Sequence, residues 1–167
     1  MNDIQVIVEY FIRYGLVFVF VIMFLEYLNC PGLGAAIIMP AIGIGISKAN
    51  INFFLALLIS IIAGELASYV LYFISFWFGK PILTFIYKKF PKLRKSIEKI
   101  CFYIENYGDK SVLIIRLIPA VRTLVPIVAG MFRMNFVKFS IYSVMGITIW
   151  NSVLIYAGYA FGNIILK

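Results

Sequence analysis

The sequence predicts an all-α polytopic membrane protein, an inverted repeat of a re-entrant hairpin plus a long transmembrane helix, with one transmembrane helix ahead of it. Three observations predict it. Hydrophobic residues make up 63% of the 167 residues and charged residues only 13%, where a soluble domain carries roughly 25% charge. Several apolar runs exceed the ~18 residues that suggest a span. Two of the long runs each follow a shorter apolar stretch interrupted by prolines, and proline-broken backbone at membrane depth belongs where it lines a cavity or packs on protein.

Taken in order, residues 4–28 predict a first transmembrane helix, interrupted only by Glu9, Arg13 and Glu26. Asn29-Cys30-Pro31-Gly32 ends it. Residues 29–48 follow, rich in Gly and Ala and containing Pro40. At helical rise the apolar part reaches only about 22 Å, short of a comfortable crossing. A re-entrant hairpin fits this segment, and an ordinary tilted pair of helices is the alternative. Residues 51–79 predict one long helix of roughly 43 Å, which spans with tilt.

Residues 80–109 mix Lys and Arg with Ile, Phe and Tyr. They predict an amphipathic linker of two short helices broken at Pro91, lying on anionic headgroups. A second hairpin at 110–132 and a second long helix at 135–165 complete a single membrane domain. An offset of 83 residues lays Asn52-Phe53 on Asn135-Phe136, Ser60 on Ser143, Phe78-Gly79 on Phe161-Gly162, and Ile82 on Ile165. Ala63 also meets Gly146, and Ser75 meets Gly158. A hairpin plus one crossing per unit inverts the second unit relative to the first, as in many secondary transporters.

The loop at 80–110 holds eight Lys and Arg against Glu98, Glu105 and Asp109. The positive-inside bias therefore makes this linker and the N-terminus cytoplasmic in a multi-pass cell-membrane protein. The net charge of +8 reflects this loop rather than a nucleic-acid footprint, since no nucleic-acid-binding motif accompanies it. Cys30 and Cys101 fall on opposite faces and, without any histidine, make no disulfide and no zinc site. The N-terminus has no basic region or small-residue cleavage site, so it is expected to be retained.

The chemistry concentrates in Ser111–Met131, SVLIIRLIPAVRTLVPIVAGM. Arg116 and Arg122 would each cost about 2.5–3.5 kcal/mol on a lone central helix, and Pro119 and Pro126 interrupt the hydrogen-bond ladder. On an unbroken helix the two arginines would point about 240° apart. A break at Pro119 can turn both toward one centre, where two guanidiniums fork onto a phosphate. Snorkelling to headgroups, which suits Arg133 better, and salt bridges to Glu26 and Glu65 are the alternatives. Glu65, mid-way along 51–79, is either a protonated carboxyl bonded to a neighbouring helix or a proton carrier and ion-pair partner of Arg116 or Arg122. Glu26, four residues before Cys30, is either an interfacial carboxylate or part of the hairpin mouth. The hairpin breaks are placed at Pro31, Pro40, Pro119 and Pro126.

The run Arg116-x-x-Pro119-x-x-Arg122, followed by Ala129-Gly130, Met134, Phe139, Gly146, Trp150, Gly158 and Gly162, resembles the C-terminal half of the DedA (VTT-domain, SNARE-associated) membrane family. The first half is similar too, from Leu25-Glu26 through Pro31-Gly32 and Pro40-x-x-Gly43 to Gly64 and Tyr72-x-x-Ser75-x-x-x-Gly79. The resemblance covers residues 25–162. It implies two facing re-entrant hairpins and a lipid-transport role, with undecaprenyl phosphate or a phospholipid as cargo and proton dependence. It also implies that Glu26 takes the early glutamate and Arg116 and Arg122 the essential arginines. The chain departs from the family where Pro31-Gly32 is followed by Leu33-Gly34-Ala35 rather than an acidic residue, and where Ser75 replaces a frequent glycine.

The expected function is therefore a flippase-like lipid transporter with Arg116 and Arg122 on the headgroup and Glu26 and Glu65 as proton-coupling or ion-pair groups. A proton-coupled small-ion exchanger supporting membrane potential and pH homeostasis is the alternative. A membrane enzyme acting on lipid phosphates lacks histidine and an acidic metal cluster. Expected partners are membrane lipids and protons, with homo-oligomers left open and with no nucleic acid, cofactor or metal.

Overall fold

The structure is a computed structural model that describes residues 3–28, 35–49, 51–89, 94–119 and 121–165. It is all-α: α1 Asp3–Tyr27, α2 Ala35–Lys48, α3 Phe53–Lys89, α4 Arg94–Tyr107, α5 Ser111–Arg116, α6 Val125–Met131 and α7 Phe136–Ile165, with a 3-10 turn at Gly108–Lys110 before α5. Two stretches, Phe53–Gly79 of α3 and Phe136–Phe161 of α7, are long and apolar enough to cross a membrane. The faces of these two helices are sorted opposite to those of a soluble protein. The buried face of α3 carries Ala56, Ser60, Ala63, Gly64, Ala67, Ser68 and Ser75 along with Glu65 and Tyr72, while Phe54, Leu58, Ile62, Leu66, Val70 and Trp77 are exposed. Small residues inward let backbones approach, and large apolar residues outward suit lipid tails rather than water.

Several boundaries differ from the sequence expectation. The first helix is broken inside, at Gly15 (φ 53, ψ −125), a conformation that other residues avoid. Pro40 is not a break: α2 runs helically through it. The 14 residues of α2 reach only about 21 Å, too little for a full crossing. Pro31 lies outside the described residues. The first long helix, α3, does not stop at Gly79. It bends at Phe78 (φ −114, ψ 26) and continues to Lys89, because Pro81 offers no N–H to the carbonyl four residues earlier yet the chain beyond it remains helix-competent. The linker's first helix is thus the end of α3. Its second is α4, amphipathic as expected, with Ile97, Ile100 and Ile104 buried, and residues 90–93 between them are outside the described residues.

The chain divides into two compact units, Met1–Gly64 with Thr148–Lys167, and Glu65–Ile147. Within the first, a Cβ on Gly43 would collide with the Ile155 carbonyl oxygen, the Tyr159 nitrogen and Gly158. Within the second, a Cβ on Gly130 would collide with the Tyr72 carbonyl oxygen, the Phe76 nitrogen and Ser75. Tyr72, Ser75 and Phe76 precede Ile155, Gly158 and Tyr159 by the same 83 residues. So α2 docks backbone-to-backbone on α7 in one unit as α6 docks on α3 in the other. The helix starts repeat as well. Asn52 Oδ1 accepts the Phe54 N–H at 2.9 Å, and Asn135 Oδ1 accepts the Val137 N–H at 3.0 Å. Phe53 packs edge-on against Tyr156 with centroids 6.0 Å apart, and its counterpart Phe136 packs on Phe73 at 5.1 Å.

Candidate functional site

The proline-rich stretch between Ser111 and Met131 contains two very short helices and a bend. α5 has 6 residues and α6 has 7, roughly 9–10 Å each at helical rise, so neither arm crosses a bilayer. Leu117–Pro119 and Val121–Leu124 form turns between them, closed by bonds such as the Arg122 N–H to the Ile118 carbonyl at 3.1 Å. Pro119 lies in the bend and is exposed, whereas Pro126 is buried in the first turn of α6, where its missing N–H has no intrahelical partner to lose. Of the four prolines expected to break hairpins, Pro119 alone sits in a bend among the described residues.

Both arginines of this segment are buried inside the second unit, Arg116 at 2% exposure and Arg122 at 3%. Arg116 closes α5, and its Nη2 donates to the Ser68 hydroxyl at 3.0 Å. Its guanidinium carbon lies 5.8 Å from the centroid of the Phe139 ring, within the range of a cation–π contact. The stem of Arg116 passes against Gly146, where an added Cβ would come within 2.8 Å of the Arg116 Cβ. Glu65 is within reach of the Arg116 charge and beside the Tyr69 phenol. The Ser143 hydroxyl donates to its Oε2 at 2.5 Å. Glu65 is 6% exposed, so a carboxyl group and a guanidinium share one desolvated cluster.

Arg133 behaves differently. It is exposed, adopts a left-handed backbone (φ 49), and lays its guanidinium 5.3 Å from the Phe76 centroid. Glu26 is buried in the first unit at 5% exposure. The interfacial-carboxylate reading of Glu26 therefore does not hold, since that reading needs contact with water. Sequence reasoning missed Ser68, Ser143, Tyr69 and Phe139 as partners. A signal existed for the hydroxyls, because buried serines on otherwise apolar helices seek partners. It also missed Tyr27, whose hydroxyl donates to Asn151 Oδ1 at 2.8 Å, while Asn151 Nδ2 donates to Ser60 Oγ at 3.2 Å. Among the described residues, no group of three His, Cys, Asp or Glu is placed to hold a metal ion.

An apolar-faced helical frame around a buried cationic segment defines a multi-pass, membrane-embedded protein. The VTT domain matches residues 30–160, and the chain belongs to that family, the DedA or SNARE-associated membrane proteins. It is 33% identical over 158 residues to undecaprenyl phosphate transporter A of Staphylococcus aureus, covering 92% of this chain and 77% of that one. It is 32% identical over 115 residues to protein DedA of Escherichia coli K12, covering 69% of this chain and 52% of that one. Undecaprenyl phosphate transporter A of Bacillus subtilis is 32% identical over 122 residues, 72% of this chain and 61% of its own. No solved structure matches.

Proposed function

We propose that this protein is a flippase-like transporter that moves a phosphate-bearing lipid between leaflets, with Arg116 and Arg122 as headgroup ligands. The observation that carries the reading is the burial of both arginines on either side of a non-helical bend in an apolar protein. Burial at this depth is costly for a cation, and an exchangeable anion is the functional reason to retain two of them. Glu65 competes for Arg116 when ionised and yields when protonated, which couples headgroup capture to protons; Glu26 is the corresponding candidate in the first unit. The relatives named as undecaprenyl phosphate transporters support a polyprenyl phosphate as cargo, with a phospholipid as the other candidate. Small-ion exchange coupled to protons is the second reading, favoured by the Glu65–Arg116 proximity alone.

The proposed architecture is an inverted repeat of two re-entrant hairpins, each docked on the long helix of the other repeat. The recurrence of glycine, capping and aromatic contacts at one offset supports it. Lys80–Lys110 and the N-terminus face the cytoplasm of a cell-membrane protein, as the loop charge favours. A leaflet-exchange assay in proteoliposomes tests the reading, with undecaprenyl phosphate and phosphatidylethanolamine as cargo and proton flux as the lipid-free readout. Arg116→Ala and Arg122→Ala are expected to reduce lipid exchange strongly in folded protein, and intact exchange in both would overturn the headgroup role. Glu65→Gln is expected to remove the pH dependence of exchange; an unchanged profile would take Glu65 out of the coupling.

A further inference from the structure

A groove of about 440 Å³ opens on the second unit, lined by Tyr107, Asp109, Lys110, Lys138, Ile141 and Tyr142. Lys138 Nζ donates to Asp109 Oδ2 at 2.8 Å, and no carboxylate among the described residues pairs with Lys110. Two ammoniums against one carboxylate leave a net positive groove. Its phenols are of the kind that settle at headgroup level. The apolar stripe Val137, Ile141 and Met145 of α7 is exposed and runs from the groove along the helix, so a tail has an apolar path beside the charged mouth. The groove also lies close in sequence to the buried cluster. Lys110 immediately precedes α5, whose last residue is Arg116, about 9 Å further at helical rise. Tyr142 immediately precedes Ser143, the hydroxyl on Glu65.

We propose that this groove is an interfacial loading site for the phosphate headgroup of an anionic lipid, held by Lys110 and Lys138 before it passes to Arg116. The passage to Arg116 rests on the headgroup reading above; the docking itself does not. Asp109 is the built-in competitor, since its carboxylate occupies the Lys138 ammonium that the phosphate takes over. The commitment to a lipid rather than a free anion follows from the exposed α7 stripe.

The test is direct binding of radiolabelled short-chain phosphatidic acid to the full-length protein in phosphatidylcholine nanodiscs, measured in the Arg116→Ala background so that capture by Arg116 does not contribute to the readout. Lys110→Gln is expected to weaken binding about fivefold, the effect of one surface lysine on an anionic headgroup. Asp109→Asn is expected to tighten it by a similar factor, a gain that a merely structural ion pair would not produce. Unchanged binding in Lys110→Gln, or weaker binding in Asp109→Asn, overturns the proposal. So does displacement by inorganic phosphate as effective as by phosphatidic acid, which would make it a free-anion site.

With Arg116 in place, Lys110→Gln is expected to raise the lipid fraction giving half-maximal exchange while keeping the maximal rate, so the proposal stays testable if the Arg116→Ala background does not fold. If both groove variants are silent while Arg116→Ala still stops exchange, the groove is refuted and the headgroup reading stands. If the groove responds but Arg116→Ala and Arg122→Ala both exchange normally, docking is supported and the headgroup reading falls.

Discussion

Among the described hydrogen bonds, the two units hold polar contacts at corresponding positions, made by neutral groups in one and involving charged groups in the other. In the first, the Tyr27 hydroxyl donates to Asn151, and Asn151 donates to Ser60, whose own hydroxyl donates to the Leu57 carbonyl at 2.7 Å. In the second, Arg116 donates to Ser68 and Ser143 donates to Glu65. Ser60 and Ser143 are 83 residues apart, and so are Ser68 and Asn151. The same two helix positions therefore hold a chain of neutral donors and acceptors in one unit and receive a guanidinium and a carboxylate in the other. The neutral chain resembles a fixed pin between helices. The charged cluster has partners that a ligand or a proton can rearrange, which is the role proposed for it above.

Removing the charge should separate the two most strongly. Arg116→Ala is expected to reduce lipid exchange by roughly 10²-fold, the order that follows from deleting a desolvated charged contact. Arg116→Lys should recover only part, because an ammonium lacks the planar fork. Tyr27→Phe is expected to leave the exchange rate near that of the parent while lowering stability by about 1–3 kcal/mol, the cost of an unsatisfied buried partner. Exchange assays and thermal unfolding on the same preparations decide between these patterns. A Tyr27→Phe protein that folds but does not transport would erase the distinction between pin and site.

Gly43 and Gly130 test what the units share. Each presses its Cα face on the backbone of a long helix, so Gly43→Ala and Gly130→Ala should both destabilise by about 1–3 kcal/mol through overpacking. Comparable losses would support equivalent docking of α2 and α6. A loss confined to Gly130→Ala would make the resemblance of the units superficial.

Much of this frame was legible in the sequence because hydrophobicity sets the cost of every exception. Arg116, Arg122 and Glu65 stood out as charges in apolar runs, and the structure buries all three. The offset of 83 was visible from identities such as Asn52 and Asn135. The polar pairing was not, because Ser68 meets a non-identical Asn151 and only side-chain geometry links them. Pro40 misled for a related reason. A proline in a helix interior removes one helical hydrogen bond, but whether the helix bends depends on what it packs against. Pro40 lies on Gly158, whose missing side chain admits its backbone, and α2 stays helical. The end of α3 was placed at Gly79 because composition changes there, whereas the backbone bends one residue earlier and then resumes.

Gly146 and Ala63 occupy corresponding positions with different neighbours. Gly146 makes room for the stem of Arg116, and Ala63 is buried in the first unit, where no arginine joins the Tyr27–Asn151–Ser60 contacts among the described residues. Gly146→Ala is expected to cost about 1–3 kcal/mol by crowding Arg116 and to slow exchange. Ala63→Gly should cost about 1 kcal/mol, the ordinary helix-propensity difference, with no effect on exchange. Equal transport in both variants would detach Gly146 from the arginine.

The smallest effects should come from the helix starts, where the units are most alike. Asn52 Oδ1 also accepts the Leu55 N–H at 3.4 Å, and Asn135 Oδ1 the Lys138 N–H at 3.2 Å, so each caps the first turn of a long helix. Asn52→Ala and Asn135→Ala should each cost about 1 kcal/mol, read as equal shifts in thermal unfolding. Because Lys138 also reaches Asp109, fraying at Asn135 should additionally loosen that ion pair, and fraying at Asn52 has no such consequence. A larger salt sensitivity of unfolding in the parent than in Asn135→Ala, with none of that change in Asn52→Ala, would separate the shared cap from the charge that only the second unit carries.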